Sequence, residues 1–390
     1  SGALLIVLGV LTCRESTEYA NNEALWRATI ARNPQAIMAW LNLGDTLVKQ
    51  GRHDEAITTF THVTQIKPDA VDAFNDLGGA LLLVGRPAEA LAALGRAVTL
   101  APRRAEVHNN LGNAQRSLGR TAEAMASYRR ALELNPEYAE AHDNLGAELA
   151  EAGQIEEALG RFTTALRFAP KNASALNNLG NVLRTLGRFD EALARHREAL
   201  QLKPDFAAAL ASLGYTLALG GRASEGLPHL QRALQLSPNH AGIRGQLGRT
   251  LAAAGRNEEA FAHFARAVEL APQSAEAHNN LGTALAQSGR GAEAIGQFEQ
   301  AVQLAPRFGG ARSNLGNALL AVARWSAAAT QFAQAAELQP ADAEVHARLA
   351  VARVNSGRLE EAVAPFETAL RLRPGSAEVH DHFAQVLRTL

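Results

Sequence analysis

A row of amides recurs along this chain at a spacing that packing does not demand. Asn42, Asp76, Asn110, Asn144, Asn178, Ser212, Gln246, Asn280, Asn314 and Arg348 follow one another at intervals of 34 residues, and six of the ten are asparagine. The preceding residue is polar in several copies, at Asn75, Asn109, Asp143, Asn177 and Asn279. An amide both donates and accepts hydrogen bonds. A ladder of amides therefore has the chemistry to hold an extended peptide by its backbone, with little regard for its sequence. Asn42, Asp76, Asn110, Asn144, Asn178, Asn280 and Asn314 are the candidate peptide-binding residues. The packing alternative is that these amides satisfy neighbouring backbone groups.

A second row carries ligand chemistry: His108, His142, His278, His346 and His380. A metal ion needs several donors within about 2 Å of it, and these copies lie a whole repeat apart. They stand where other copies carry Trp40 or Phe74, so they read as structural histidines. No HExxH, GxSxG or GxxxxGK run occurs, which removes the common metal, nucleophile and phosphate-cradling signatures. The sequence therefore reads as non-enzymatic, without cofactor or metal. The net charge is -1 and no basic stripe is present, which argues against a nucleic-acid partner. Cys13 is the single cysteine; an intramolecular disulfide framework is thereby excluded.

The elements that must position these rows follow from the period itself. Prolines fall 34 residues apart from Pro34 to Pro374, and a Leu-Gly pair keeps the same interval from Leu43-Gly44 to Leu315-Gly316. A repeat of this length is one supersecondary unit stacked many times. In the copy Ala105 to Tyr138, Val107, Leu111, Ala114 and Leu118 share one helical face. Gly119 then provides a left-handed helix stop. Ala124, Tyr128, Ala131 and Leu132 form the face of a second helix, which Pro136 ends because proline disfavours helix in the residue before it. Gly112 and Ala124 are small enough for the two backbones to approach beside Tyr128. Arg120 and Glu123 recur as Arg52/Glu55, Arg86/Glu89, Arg188/Glu191, Arg256/Glu259 and Arg290/Glu293; they read as an exposed pair on one helix rather than a binding row.

The bulky residue at Trp40, Phe74 and His108, followed in step by Leu-Gly, Ala, Phe or Tyr, Ala and Pro, closely resembles the tetratricopeptide repeat. The resemblance implies an all-α, right-handed superhelical solenoid of ten full repeats, residues 37–376, with terminal half-repeats. First helices of such arrays line a concave groove. Departures are mild: Gly226 replaces the small alanine, Ala323 the turn glycine, and Ala350 the glycine of the Leu-Gly pair. The amide row resembles the asparagine ladder in the repeat region of the nucleocytoplasmic O-GlcNAc transferases.

The two ends carry a different expectation. Residues 1–13 form an apolar tail, in which ALLIVLGVLT (Ala3 to Thr12) is uncharged over ten residues. That is about 15 Å of helix at roughly 1.5 Å per residue, short of the about 20 residues a bilayer requires. It also lacks a basic leader for a signal peptide, and the reading expects a processed or truncated product. The stretch Arg14 to Gly44 resembles the junction in multi-spanning transmembrane-and-tetratricopeptide O-mannosyltransferases, which implies a transmembrane stump and an extracytoplasmic or membrane-associated location. Residues 14–36 form an unpaired second helix and residues 377–390 an unpaired first helix. Fourteen positions from one end and twenty from the other (Thr17 to Ala36) complete one repeat. The expected function is therefore an interaction scaffold that self-assembles head to tail, as an open filament. Its assembly residues are Leu4, Leu5, Ile6 and Leu8 in the tail, Leu25, Trp26 and Ile30 in the first helix, and Val379, Phe383, Val386, Leu387 and Leu390 in the last. The alternatives are the extracytoplasmic repeat region of a membrane glycosyltransferase, and a soluble peptide-binding adaptor.

Overall fold

The computed structural model describes residues 22–390, and among these the chain forms 22 α-helices. It divides into two compact units, one ending at Arg188 and one beginning at Phe189. In the first unit α1 (Asn22–Arg32) precedes the hairpins α2 (Ile37–Lys49) and α3 (His53–Ile66), α4 (Val71–Leu83) and α5 (Pro87–Leu100), α6 (Ala105–Ser117) and α7 (Thr121–Leu134), and α8 (Ala139–Glu151) and α9 (Ile155–Phe168). It closes with α10 (Ala173–Thr185). The second unit opens with α11 (Phe189–Leu202) and continues with α12 (Ala207–Leu219) and α13 (Ala223–Leu236), α14 (Ala241–Ala253) and α15 (Asn257–Leu270), and α16 (Ala275–Gln287) and α17 (Gly291–Leu304). It ends with α18 (Gly309–Ala321) and α19 (Trp325–Leu338), α20 (Ala343–Asn355) and α21 (Leu359–Leu372), and α22 (Ala377–Thr389).

Each hairpin turns in the same way. In the first, the Arg52 amide donates to the Leu47 carbonyl at 2.9 Å and the Gly51 amide to Val48 at 3.0 Å. That pair of bonds is the Schellman closure, which places the glycine in the left-handed region. Gly51 has φ +77°, and the equivalent glycines lie within a few degrees of it. Ala323 adopts the same conformation, φ 59°, although a Cβ there costs about 1–2 kcal/mol. The second helix stops where the chain turns extended ahead of proline, as at Asn135, φ -140° and ψ 93°.

Helix pairs close on the glycine of the Leu-Gly pair. A Cβ on Gly112 would lie 2.5 Å from Cε1 of Tyr128, and one on Gly248 at 2.5 Å from Cε1 of Phe264. Gly146, Gly282 and Gly316 stand against Phe162, Phe298 and Phe332 in the same way. These rings are almost wholly buried and form the centre of each repeat's core. In the second repeat Leu94 takes the ring's place against Gly78, and in the sixth the compensation is backbone to backbone. Leu230 takes the aromatic slot, and Gly226 faces Gly214 so closely that a Cβ on Gly226 would strike the Gly214 carbonyl oxygen. The glycine that replaces the usual alanine thus lets α12 and α13 draw together over a smaller side chain.

Two substitutions test this geometry by urea denaturation. Gly112→Ala should lower stability by about 1–3 kcal/mol, the cost of overpacking. Ala323→Gly should raise it by up to about 1 kcal/mol, because left-handed strain is relieved against some added chain entropy.

Candidate functional site

The amide row is knitted together across repeats. Nδ2 of Asn110 donates to Oδ1 of Asn75 at 2.8 Å, Asn144 to Asn109 at 2.9 Å, and Asn178 to Asp143 at 3.0 Å. In the second unit Asn314 donates to Asn279 at 2.9 Å. Each bond runs from the sixth position of one repeat to the fifth position of the repeat before it. The polar fifth residue, visible in the sequence only as an accompaniment, is the acceptor that fixes the sixth. The amides thus satisfy neighbouring side chains, where the packing alternative had backbone groups. Each bonded amide keeps a second N–H and its own carbonyl oxygen, since an amide offers two donors and one acceptor oxygen. Asn42, Asp76, Asn110, Asn144, Asn178 and Asn314 are half-buried, and Asn280 is buried.

The row changes where the fifth residue is not an acceptor. Leu41 precedes Asp76, whose carboxylate instead takes the Asn75 amide beside it at 3.2 Å. Gly245 precedes Asn280, and a Cβ there would lie 3.4 Å from Nδ2 of Asn280.

Clefts open between consecutive first helices, each floored by a buried ring. One of about 210 Å³ is lined by Asn178, Asn181, Glu151, Ile155 and Phe162. Another, of about 320 Å³, lies between α20, α21 and α22 over Phe366, with Val351, Val354, Gln385 and His382 around it. Asn178 and His382 both occupy the sixth position. Asn178 is thus the member of the amide row that lines one of these clefts.

Profiles described as tetratricopeptide repeat match residues 35–103, 105–138, 127–160, 246–307 and 313–377, and a profile described as TPR repeat matches 146–187 and 180–221. The chain belongs to the tetratricopeptide repeat family. No curated protein matches it. Among solved structures it is similar to the APC/C hetero-tetramer Cut9–Hcn1, at 14% identity and TM-score 0.52, over 96% of this chain and 94% of that one. The human IFIT1 dimer with m7Gppp-AAAA matches at 17% identity and TM-score 0.58, over 86% and 90%. A tetratricopeptide repeat protein from Parabacteroides merdae matches at 18% and 0.53, over 64% and 98%. At these identities the likeness is one of fold. Tetratricopeptide arrays serve as scaffolds that bind proteins or peptides.

The histidine row has a structural task in this array. Nε2 of His108, His142, His278, His346 and His380 meets the carbonyl of the proline six residues earlier, at 2.9–3.1 Å. Trp40 donates to Pro34 in the same way at 2.9 Å, Arg244 to Pro238 at 2.8 Å and Arg312 to Pro306 at 2.8 Å. Where this position carries histidine, tryptophan or arginine, the shared property is an N–H that reaches the loop carbonyl; Phe74, Leu176 and Leu210 are the purely apolar copies. Burial holds His142 below the usual histidine range, in keeping with a neutral ring donating from Nε2. Among the described residues no group of three or more histidine, cysteine, aspartate or glutamate side chains could hold a metal ion.

At the start, Leu25 is half-buried, and Trp26 and Ile30 pack against the core of the first unit. Arg52 clamps Glu23 at 2.8 Å, which with Arg27 pulls the Glu23 carboxyl down to about 2. At the other end the five apolar residues of α22 differ in burial. Val386 is buried, and Val379 and Phe383 pack with it on the core that contains Phe366; the Phe366 and Phe383 rings lie 5.5 Å apart. The preceding hairpin covers the inward side of α22 and leaves Leu387 54% and Leu390 58% exposed. Leu4, Leu5, Ile6 and Leu8 lie outside the described residues. Among the described residues no helix is long and apolar enough to cross a membrane.

Carboxylates in the row are perturbed. Burial, and then the neighbouring Asp45 carboxylate, push Asp76 up to about 6; burial likewise raises Asp143. An acid with a raised folded pKa contributes stability that is fully present below its unfolded pKa and is lost as pH rises through the folded one. For Asp76 the window runs from the ordinary 3.8 to about 6. Asp76→Asn should therefore raise the urea midpoint near neutral pH. The gain should vanish below about pH 3.5, where both chains carry a neutral group.

Proposed function

We propose that this chain is a non-enzymatic interaction scaffold that holds an extended polypeptide along its row of first helices, using the sixth-position amides as rungs. One observation carries the reading: each of four rungs is anchored through Nδ2 to the repeat before it. Anchoring fixes the amide's orientation before a ligand arrives, which lowers the ordering cost of binding. A second N–H and a carbonyl oxygen per rung match the alternating donors and acceptors of a peptide backbone. The cleft beside Asn178 offers a place for a side chain. A triple variant, Asn110→Ala with Asn144→Ala and Asn178→Ala, should bind a fluorescently labelled unstructured peptide at least about tenfold more weakly, a loss of about 1.4 kcal/mol. Unchanged affinity in a variant that retains its helical circular dichroism would overturn the reading.

Head-to-tail self-association is the second reading. It is favoured by the exposed Leu387 and Leu390 on α22. A joined repeat would be less compact than the interior ones. Asn22 and Thr29 of α1 stand at positions held by Ala124 and Ala131 in the third repeat, and Ala384 of α22 stands where Gly112 does. Such polar or larger residues suit a capping face. An extracytoplasmic or membrane-associated location belongs to the alternative of a repeat region from a membrane glycosyltransferase and rests on Ala3 to Thr12 and the junction resemblance of Arg14 to Gly44. Light scattering decides: a mass above that of one chain, lost in Leu387→Ser with Leu390→Ser, is the expected result. A single-chain mass for both proteins would end this reading.

A further inference from the structure

The charge on the first helices has a sign of its own. In α2, α4, α6 and α8 there are eight carboxylates, Asp45, Asp72, Asp76, Glu106, Glu140, Asp143, Glu148 and Glu151, against two cations, Lys49 and Arg116. The first helices of the second unit, α12 to α20, reverse this with five arginines to two glutamates. A balanced chain with a net charge of -1 therefore carries a strongly acidic face on repeats one to four. Two of the acids, Asp76 at the sixth position and Asp143 at the fifth, stand where the rung bonds form. Asp76 feels Asp45 and Asp72, opposed by Arg104, and Asp143 feels Glu140, opposed by Arg116.

The protein answers only part of this charge with its own cations. Arg104 meets Asp72 at 2.5 Å and reaches Glu106 at 3.6 Å. Asp76, in the rung row, and Asp143, at the fifth position behind Asn178, have amides as their partners, Asn75 at 3.2 Å and Asn178 at 3.0 Å. A neutral amide offers a hydrogen bond but does not cancel the charge. On the same helix as Asp143, Glu148 is 1% exposed, and its Oε1 has no hydrogen-bond partner. The nearest guanidinium, Arg116, stands 3.9 Å away. Half-buried carboxylates with their like-charged neighbours beside them favour an incoming cation over water. They also penalise an incoming anion, which supplies specificity as well as attraction.

We infer that the rungs of repeats one to four select a basic extended segment, one whose arginine or lysine side chains meet Asp45, Asp76 and Asp143 while its backbone lies on the amides. The inference rests on the peptide-binding reading above and adds the chemistry of the partner. Arginine suits these positions in particular, because its planar donors can serve a carboxylate and an adjacent amide oxygen together.

The test uses the full chain and three labelled peptides of equal length, alternating serine and glycine with arginine, glutamine or glutamate. Fluorescence anisotropy at low salt should rank arginine above glutamine and glutamine above glutamate. The arginine peptide should bind at least about tenfold tighter than the glutamine peptide, with that advantage shrinking as salt screens it. In a variant carrying Asp45→Asn, Asp76→Asn and Asp143→Asn the arginine advantage, taken as the ratio of arginine-peptide to glutamine-peptide affinity measured on that variant, should fall to about twofold or less. Removing three charges from the row should not impair folding, and circular dichroism checks this. If arginine and glutamine peptides bind equally to the parent chain, the inference fails and the backbone-rung reading stands. If the variant keeps its arginine advantage, the inference fails as well. If none of the three peptides binds, both fail.

Discussion

Everything in this array hangs on how closely two helices can approach at one glycine. Where Gly112 meets Tyr128 or Gly248 meets Phe264, a single added carbon would overlap the ring. That approach fixes the distance and rotation of the second helix against the first. Within each unit, successive hairpins closed in this way place their first helices in register with one another. Only in that register can a sixth-position amide reach the fifth position of the preceding repeat. The repeat with Leu230 obeys the same constraint with different means, as Gly214 and Gly226 bring two backbones together where no ring is present. Side-chain volume is thus traded between the two helices while the hairpin itself is kept.

The fold could be read from the residues because its causes are local. Turn glycines, pre-proline ends and helical spacing each act within a few residues, and ten copies reinforce the same pattern. Ala323 was visible as a departure in the sequence; the structure adds that it pays for the turn in left-handed backbone. Helix boundaries fell where the glycines and prolines placed them.

The face was only half legible. The sixth-position amides stood out by composition, yet their bonding did not. Asn110 and Asn75 are 35 residues apart, and nothing in the sequence says that one reaches the other until the helices are stacked. The fifth-position residues hold the signal that was missed, since Asn75, Asn109, Asp143 and Asn279 are each followed one repeat later by an asparagine, while Asn177 is followed by Ser212. The fourth position hid a second regularity. Trp40, His108 and Arg312 differ in size, charge and shape, and they share only an N–H in the right place. At the C-terminal end, pattern alone showed which residues of α22 are apolar but not that the preceding hairpin already covers Val386.

The bond between fifth and sixth positions has a consequence for how such a protein changes length over generations. Each rung depends on what the previous repeat offers, so losing or duplicating a whole unit re-pairs only the residues at the seam. Loss of residues 139–172 would bring Asn178 behind Asn109, which is again an acceptor, and the row would heal. Loss of residues 241–274 would set Asn280 behind Ala211, which offers nothing, and the row would stay interrupted there. The amide pairs act as a compatibility rule between modules, permitting some rearrangements of the gene to keep a continuous face while others leave a gap.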